Sequence, residues 1–171
     1  MPGAGTDKTK RWTVAPAPIV VLVEPQLGEN IGAAARAMAN FGLSRLRLVK
    51  PVLGWPNDKA RVMAAGADRV LEGAELYDSL AGAIGDCTFV LAATARNHDQ
   101  AKPVVGAAEA AAEMAPRVTA GESVAIVFGR ERNGRENHEV GQADRTLTLP
   151  VNPAFASLNL AQAVVIVGYE W

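Results

Sequence analysis

Sulfur, imidazole and aromatic side chains are scarce in this chain. Its 171 residues include one cysteine, Cys87, and two histidines, His98 and His138. A single cysteine excludes an internal disulfide and any cysteine-rich metal site. Neither histidine has a partner at ligand spacing, so no metal is expected. Cys87 stands at the start of an apolar run, where buried packing is its expected role. Aromatic residues make up 5% of the chain, which leaves Ala, Val, Leu and Gly to build tightly packed helices on a sheet. No apolar run reaches the length a bilayer demands, and no charged-then-apolar leader opens the chain. A cytoplasmic protein without a membrane partner is expected. Neither sign of charge dominates: 17 basic and 18 acidic residues give a net −1, so no global field draws nucleic acid. Local groups exist at Arg130, Arg132 and Arg135, and at Arg45, Arg47 and Lys50. Solvated faces are their ordinary explanation.

Two nucleotide signatures are also missing. No Gly-x-Gly-x-x-Gly follows the first strand and no Gly-Lys-Ser/Thr loop occurs. Gly28-Glu-Asn-Ile-Gly32 has two glycines at the wrong spacing. Ser157 lacks the elbow context of a hydrolytic nucleophile.

What is present alternates. Residues 1–17, rich in Gly, Pro, Lys and Thr, read as a disordered tail, and 18–171 as one domain. Strands are expected at Ile19–Glu24, Leu46–Val49, Cys87–Thr94, Val124–Phe128 and Arg145–Leu149. Helices are expected at Asn30–Phe41 (Asn30 as cap, Gly42 as stop), near Ala60–Ala65, at Ser79–Ile84, Gly106–Ala115, Glu136–Ala143 and Ser157–Trp171. In the first helix the apolar stripe is Ile31, Ala34, Ala35, Met38 and Phe41, and Arg36 lies off it. Strands that alternate with helices and read as buried on both faces imply an α/β domain with a largely parallel sheet and helices on both faces. In such a sheet ligands bind beyond the carboxyl ends of the strands. Four loops qualify: Pro25–Asn30, Thr94–Asp99, Gly129–Gly134 and Pro150–Ser157.

Ser157 and Asn159 open an apolar helix just after the last strand. Free backbone N–H groups at a helix mouth can bind a ligand. The plain alternative is that Ser157 is an ordinary N-cap. For Arg36 the plain alternative is a surface salt bridge, for example with Glu29.

Three segments carry a resemblance. Asn30-Ile-Gly-Ala-Ala-Ala-Arg36 fits Asn-x-Gly-x-x-x-Arg. Ile126-Val-Phe-Gly-Arg-Glu-Arg-Asn-Gly134 fits Gly-x-Glu-x-x-Gly after a strand. The third is Leu149-Pro-Val followed by Ser157-Leu-Asn-Leu-Ala-Gln-Ala163. Occurring in this order and spacing, they resemble the SPOUT class of RNA methyltransferases in its SpoU branch of ribose 2′-O-methylases. The match runs from about Ile19 to Trp171. Val23-Glu24-Pro25, Ala93-Thr-Ala-Arg96 and Phe128-Gly-Arg-Glu-Arg132 look most like the TrmJ group, which methylates nucleotide 32 of the tRNA anticodon loop.

The resemblance implies a C-terminal trefoil knot, S-adenosylmethionine as cofactor, RNA (tRNA foremost) as substrate and a homodimer with its active site between subunits. By resemblance the cofactor is held at Ala93, Thr94, Ala95, Gly129, Leu149, Ala156, Ser157 and Leu158. Arg36, Ser157 and Asn159 take catalytic roles. Asn30, Arg96 and Glu131 meet the substrate. A second arginine, common in the family two positions after Arg96, is His98 here. Full-length members continue into a helical extension that this chain, ending at Trp171, does not carry. The final helix, with Val164, Val165, Val167 and Tyr169, is a candidate dimer contact. Two other readings are a ribosomal-RNA methylase and a non-catalytic RNA-binding module with the same fold.

Overall fold

A computed structural model describes residues 7, 9–94, 103–129 and 141–171. The chain folds on a seven-stranded sheet of order β3-β2-β1-β6-β4-β7-β5. The strands are β1 Ile19–Val23, β2 Leu46–Val49, β3 Glu75–Tyr77, β4 Phe89–Thr94, β5 Val104–Val105, β6 Val124–Phe128 and β7 Arg145–Thr148. Every pairing is parallel. The described helices are α1 Gly28–Asn40, α2 Asp58–Ala64, α3 Asp68–Glu72, α4 Leu80–Ile84, α5 Ala107–Thr119 and α6 Leu160–Glu170.

Continuous β-branched runs become the central strands because both sheet faces are covered. Along β1, Val20 and Leu22 point into a large core built with α1, α2, α3, α5 and α6. Ile19, Val21 and Val23 point to the other face, against Leu80 and Ala83 of α4 and Ala143. That alternation is the period of two intrinsic to a strand. The α/β architecture expected from the sequence is therefore present.

Several boundaries differ from expectation, each for a physical reason. Helix α1 starts at Gly28, so Asn30 is not its cap. Leu27 occupies the cap position without a side-chain hydrogen bond. Helix α6 starts at Leu160, capped by Asn159, whose Oδ1 accepts from the Ala161 and Gln162 amides. Ser157 lies before the helix and does not cap it. Helix α5 runs through Pro116 to Thr119, because buried Val118 holds its last turn on the core. The short edge strand β3 and helix α3 were not foreseen. The expected helix over Glu136–Ala143 falls mostly outside the described residues.

Gly28 and Gly32 are explained by packing. A Cβ on Gly28 would collide with the Asn57 side chain, and one on Gly32 with the Ala60 carbonyl oxygen. Glycines one turn apart let α2 lie directly on α1. Gly32→Ala pushes a methyl group against backbone that cannot rotate away. It is expected to cost about 1–3 kcal/mol, as overpacking does, seen as a lowered midpoint in urea unfolding. An unchanged midpoint would show that α2 is free to shift outward.

One basic group was misplaced by its sequence context. Arg47 is 2% exposed, not on a solvated face. Its guanidinium donates Nη1 to Asp86 Oδ1 at 2.6 Å and Nη2 to Asp86 Oδ2 at 2.8 Å, and Nη1 also to the Ala83 carbonyl at 2.8 Å. Nε faces Glu75 Oε1 at 3.6 Å, too long for a hydrogen bond. The ring of Tyr77 lies beneath at 5.4 Å. This clamp ties β2, β3 and the α4–β4 turn. The neighbouring Cys87 is half-buried, and burial pushes its thiol up to about 11.

Candidate active site

The sheet order places a crevice. From β1 the chain moves outward through β2 and β3, then crosses to β4 on the far side of β6. Ligand crevices of parallel sheets lie at such reversals, beyond the carboxyl ends of the strands. Here the ends of β6, β4 and β7 stand side by side, with Ala93 opposite both Phe128 and Leu147. Gly129 directly follows β6. The Leu149 amide donates to the Thr94 carbonyl at 3.2 Å. Four expected cofactor residues, Ala93, Thr94, Gly129 and Leu149, are thereby gathered at one end of three adjacent strands. Ala93 is the residue of β4 that is not fully buried. The sheet is thus open just where small side chains leave its backbone approachable.

A single 3-10 turn, Pro153–Phe155, follows Leu149. Ala156 closes that turn in helical backbone geometry, and the chain is extended at Asn159, where it enters α6. Leu158 packs against the main core, which fixes this segment beside the strand ends. Ala156 is half-buried and Ser157 is exposed. Among the described residues Ser157 makes no side-chain hydrogen bond.

Asn159 joins two of the segments. While its Oδ1 caps α6, its Nδ2 donates to Asn30 Oδ1 on α1 at 3.1 Å. Asn30 and Asn159 are 129 residues apart in sequence. Their pairing needs the cap on one side and the first turn of α1 on the other. The polar side chain that looked like a helix cap is spent on this cross-link.

Arg36 is not brought to that pair. It is exposed on α1, off the buried face. Six residues beyond Asn30 it lies about 9 Å further along the axis and roughly 120° around it. The expected alternative, an ion pair with Glu29, is absent among the described residues, and Arg36 has no other partner there. Ala95, Arg96 and Glu131 lie outside the described residues, as do His98, His138, Arg130, Arg132 and Arg135.

Helix α6 has two faces. Val164 and Val167 are core residues rather than contact residues, whereas Val165, Ile166 and Tyr169 are exposed. Gly168 lies so close to Phe41 that a Cβ would stand 2.8 Å from its Cδ2. Tyr169 meets Phe41 edge to face. Helix α6 is thus in contact with the end of α1 through Phe41.

Among the described residues no group of three His, Cys, Asp or Glu could hold a metal. No described helix is long and apolar enough to cross a membrane.

Comparison with known proteins agrees with this geometry. Residues 17–169 match the SpoU rRNA Methylase family. The chain is 40% identical over 151 residues to the tRNA (cytidine/uridine-2′-O-)-methyltransferase TrmJ of Pectobacterium atrosepticum, covering 88% of this chain and 62% of that protein. It is equally similar to the tRNA (cytidine/uridine/adenosine-2′-O-)-methyltransferase TrmJ of Pseudomonas aeruginosa, covering 88% and 58%. The chain thus spans about three fifths of the length of these curated relatives. The crystal structure of TrmJ from Z. mobilis ZM4 superposes with a TM-score of 0.84 at 51% identity, covering 91% of this chain and 68% of that one. The A. aeolicus TrmH/SpoU enzyme, 20% identical, shares the fold with a TM-score of 0.67. This chain belongs to the SpoU methylase family and groups with its TrmJ members.

Proposed function

We propose that the chain is the catalytic domain of an S-adenosylmethionine-dependent tRNA ribose 2′-O-methyltransferase. Its proposed target is cytidine or uridine at nucleotide 32 of the anticodon loop. One observation carries this reading: the Asn30–Asn159 hydrogen bond joins the first and third segments beside the gathered ends of β6, β4 and β7. The residues there suit the cofactor. Ala93, Gly129 and Ala156 have little or no side chain, so main-chain groups can reach it. Leu149 and Leu158 offer apolar surface. The C-terminal segment is proposed to thread as the family's trefoil knot, making the cofactor pocket from Ala93 to Ala95, Gly129, Leu149 and Ala156 to Leu158.

S-adenosylmethionine supplies a methyl group on a sulfonium, whose departure needs no acid. The protein's task is then to place the 2′-oxygen in line and to stabilise its forming charge. Arg36 is assigned that role, because its planar fork binds ribose-phosphate bidentately. A guanidinium carries five N–H donors and no acceptor, so charge stabilisation suits it better than proton abstraction. Within one chain Arg36 stands roughly 120° around α1 from Asn30, the residue that holds Asn159. This supports a homodimer in which Arg36 of one subunit serves the pocket of the other. Ser157 is then the exposed hydroxyl beside the ribose. Asn159 holds α6 and the segment before it against Asn30. Arg96 and Glu131 are proposed to meet the RNA.

S-adenosylhomocysteine is expected to raise the melting temperature. A ligand at a hundred times its Kd stabilises the native state by about 2.7 kcal/mol. Gly129→Val is expected to abolish that shift by crowding the main chain. Methylation of total tRNA and rRNA by the intact protein, with the modified nucleotide mapped, tests the substrate. Absence of any shift at millimolar ligand, or methylation confined to rRNA, would overturn the corresponding part.

A further inference from the structure

Positive charge is concentrated ahead of the first strand. Residues 1–16 hold three of the 17 basic residues, Lys8, Lys10 and Arg11, and one of the 18 acidic ones, Asp7. They carry a net +2, and the rest of the chain carries −3. The family match begins only at residue 17. The near-zero net charge of the whole protein therefore hides a basic arm in front of an acidic body.

The arm is docked on that body. The ring of Trp12 lies under the Arg69 guanidinium of α3 at 5.5 Å. Thr13 lies over the end of α1, where a Cβ on Gly42 would stand 3.6 Å from its Cγ2. Ala17 packs against the main core just before β1. Upstream, the Asp7 carboxylate accepts from the Thr9 amide at 2.9 Å and from the Thr9 hydroxyl. The Lys10 amide donates to the Asp7 carbonyl at 3.2 Å. The arm's one acid is thus spent on a local turn. Lys10 and Arg11 are exposed, and among the described residues neither forms an ion pair. Exposed charges of this kind contribute little to the fold.

Its place is on the flank of α1 that carries Arg36. Arg36 is four residues after Gly32, roughly 40° around the helix, and Gly32 is where α2 docks. Helix α3, which holds Trp12, touches both α1 and α2. Arg36 is also four residues before Asn40, the last of α1, a rise of roughly 6 Å. A strand whose ribose-phosphate is held at Arg36 therefore reaches the arm within a few nucleotides. Asp68 and Glu72 accompany Arg69 on α3, so the excess positive charge of this flank comes from the arm.

We infer that the arm is an RNA-contacting element: Lys10 and Arg11 neutralise phosphates of the tRNA strand that flanks the target nucleotide, and Trp12 anchors them in place. The inference rests on the proposed function, since Arg36 must hold the ribose-phosphate. Phosphate contacts position a nucleic acid without reading its sequence, so the arm serves cytidine and uridine targets alike. Each neutralised phosphate releases counterions, which makes binding fall as salt rises.

The test measures binding of tRNA to the intact protein from about 50 to about 200 mM salt. Over that range the parent is expected to lose about tenfold more affinity than the double variant Lys10→Ala, Arg11→Ala, the counterion release of two phosphate contacts. The double variant raises KM for tRNA rather than lowering kcat, and S-adenosylhomocysteine affinity and melting temperature stay unchanged. Trp12→Ala keeps both charges, so its salt slope matches the parent's while its affinity falls about two- to fivefold, the worth of an exposed cation–π contact. An unchanged salt slope in the double variant, with the parent methylating tRNA, overturns the arm and leaves the proposed function standing. A parent that neither binds nor methylates tRNA takes both down. A lowered melting temperature in the double variant, at an unchanged slope, assigns the two charges to the packing of the body and also overturns the inference.

Discussion

Arg36→Ala is expected to cut methyl transfer to tRNA by about 10²–10³-fold, the typical cost of removing one group that stabilises a developing oxyanion. Melting temperature and S-adenosylhomocysteine affinity should barely move. The separation follows from position: Arg36 is exposed and without a partner among the described residues. Surface changes of that kind stay within roughly ±0.5 kcal/mol. Arg36→Lys keeps the charge but loses the planar fork, so it should rescue little. The dimer reading adds a sharper test. Gly129→Val loses the pocket and Arg36→Ala loses the guanidinium. Each alone should be inactive. Co-expressed, half of the dimers are mixed, and each mixed dimer holds one intact composite site, so about one quarter of parent activity should return. No recovery would place Arg36 and the pocket in the same subunit. Parent-level activity in Arg36→Ala would return it to an ordinary exposed helix charge.

Position also explains what the sequence made legible. Strands β1, β4 and β6 were readable because burial on both faces demands continuous apolar runs, while β2 and β7, reading Leu-Arg-Leu-Val and Arg-Thr-Leu-Thr, stood out as short β-type segments stopped by Pro51 and Pro150. The stretch from Val52 to Gly73 was less readable: it offered the short helix near Ala60–Ala65 that is α2, but neither α3 nor the way α2 docks. Helix α2 touches α1 through Gly28 and Gly32, so its docking is written as missing side chains rather than as an apolar stripe. Strand β3 sits at the sheet edge with Glu75 and Leu76 exposed, so only its backbone pairing with β2 marks it.

In the site, local grammar misled at two places. Asn30 has the residue type and place of a helix cap, but its side chain bonds Asn159, a contact no short-range pattern contains. Ser157 opens the polar pair before α6, yet Asn159 supplies the cap. Arg36 was found off the apolar stripe by periodicity alone. That Asn30 rather than Arg36 meets Asn159 required the pairing of α1 with α6. Glu29, whose place in sequence offers Arg36 an ion pair, instead borders Lys59 and Met63 of α2. Arg47 resembled its neighbours Arg45 and Lys50, and only the return of the chain at Asp86 shows why it is buried.

Asp86→Ala should be among the most destabilising single changes in this fold, although it lies far from the cofactor pocket. Removing the carboxylate strips Arg47 of two short hydrogen bonds and leaves a guanidinium that is 2% exposed with Glu75 at 3.6 Å as its remaining counter-charge. Breaking a fully buried pair costs about 3–5 kcal/mol. The Asp86 side chain is 57% exposed, and solvent screening lowers the expected loss to about 2–3 kcal/mol. For a domain of this size that is a fall of roughly 5–10 °C in Tm. The pH dependence has a definite sign. Hydrogen bonds from Arg47 hold the Asp86 carboxyl well below the usual carboxylate range, and the same bonds raise the Arg47 guanidinium above its ordinary value. A depressed carboxyl contributes stability that is complete above the unfolded value near 4 and is lost as pH falls toward the folded value. The Arg47 shift lies far above any working pH and adds no slope there. Asp86→Asn should therefore be clearly less stable than the parent at pH 7, and the gap should narrow steadily below about pH 4. Parallel melting curves for parent and Asp86→Asn from pH 7 to 3, with a constant gap, would show that the carboxylate charge contributes nothing to the clamp.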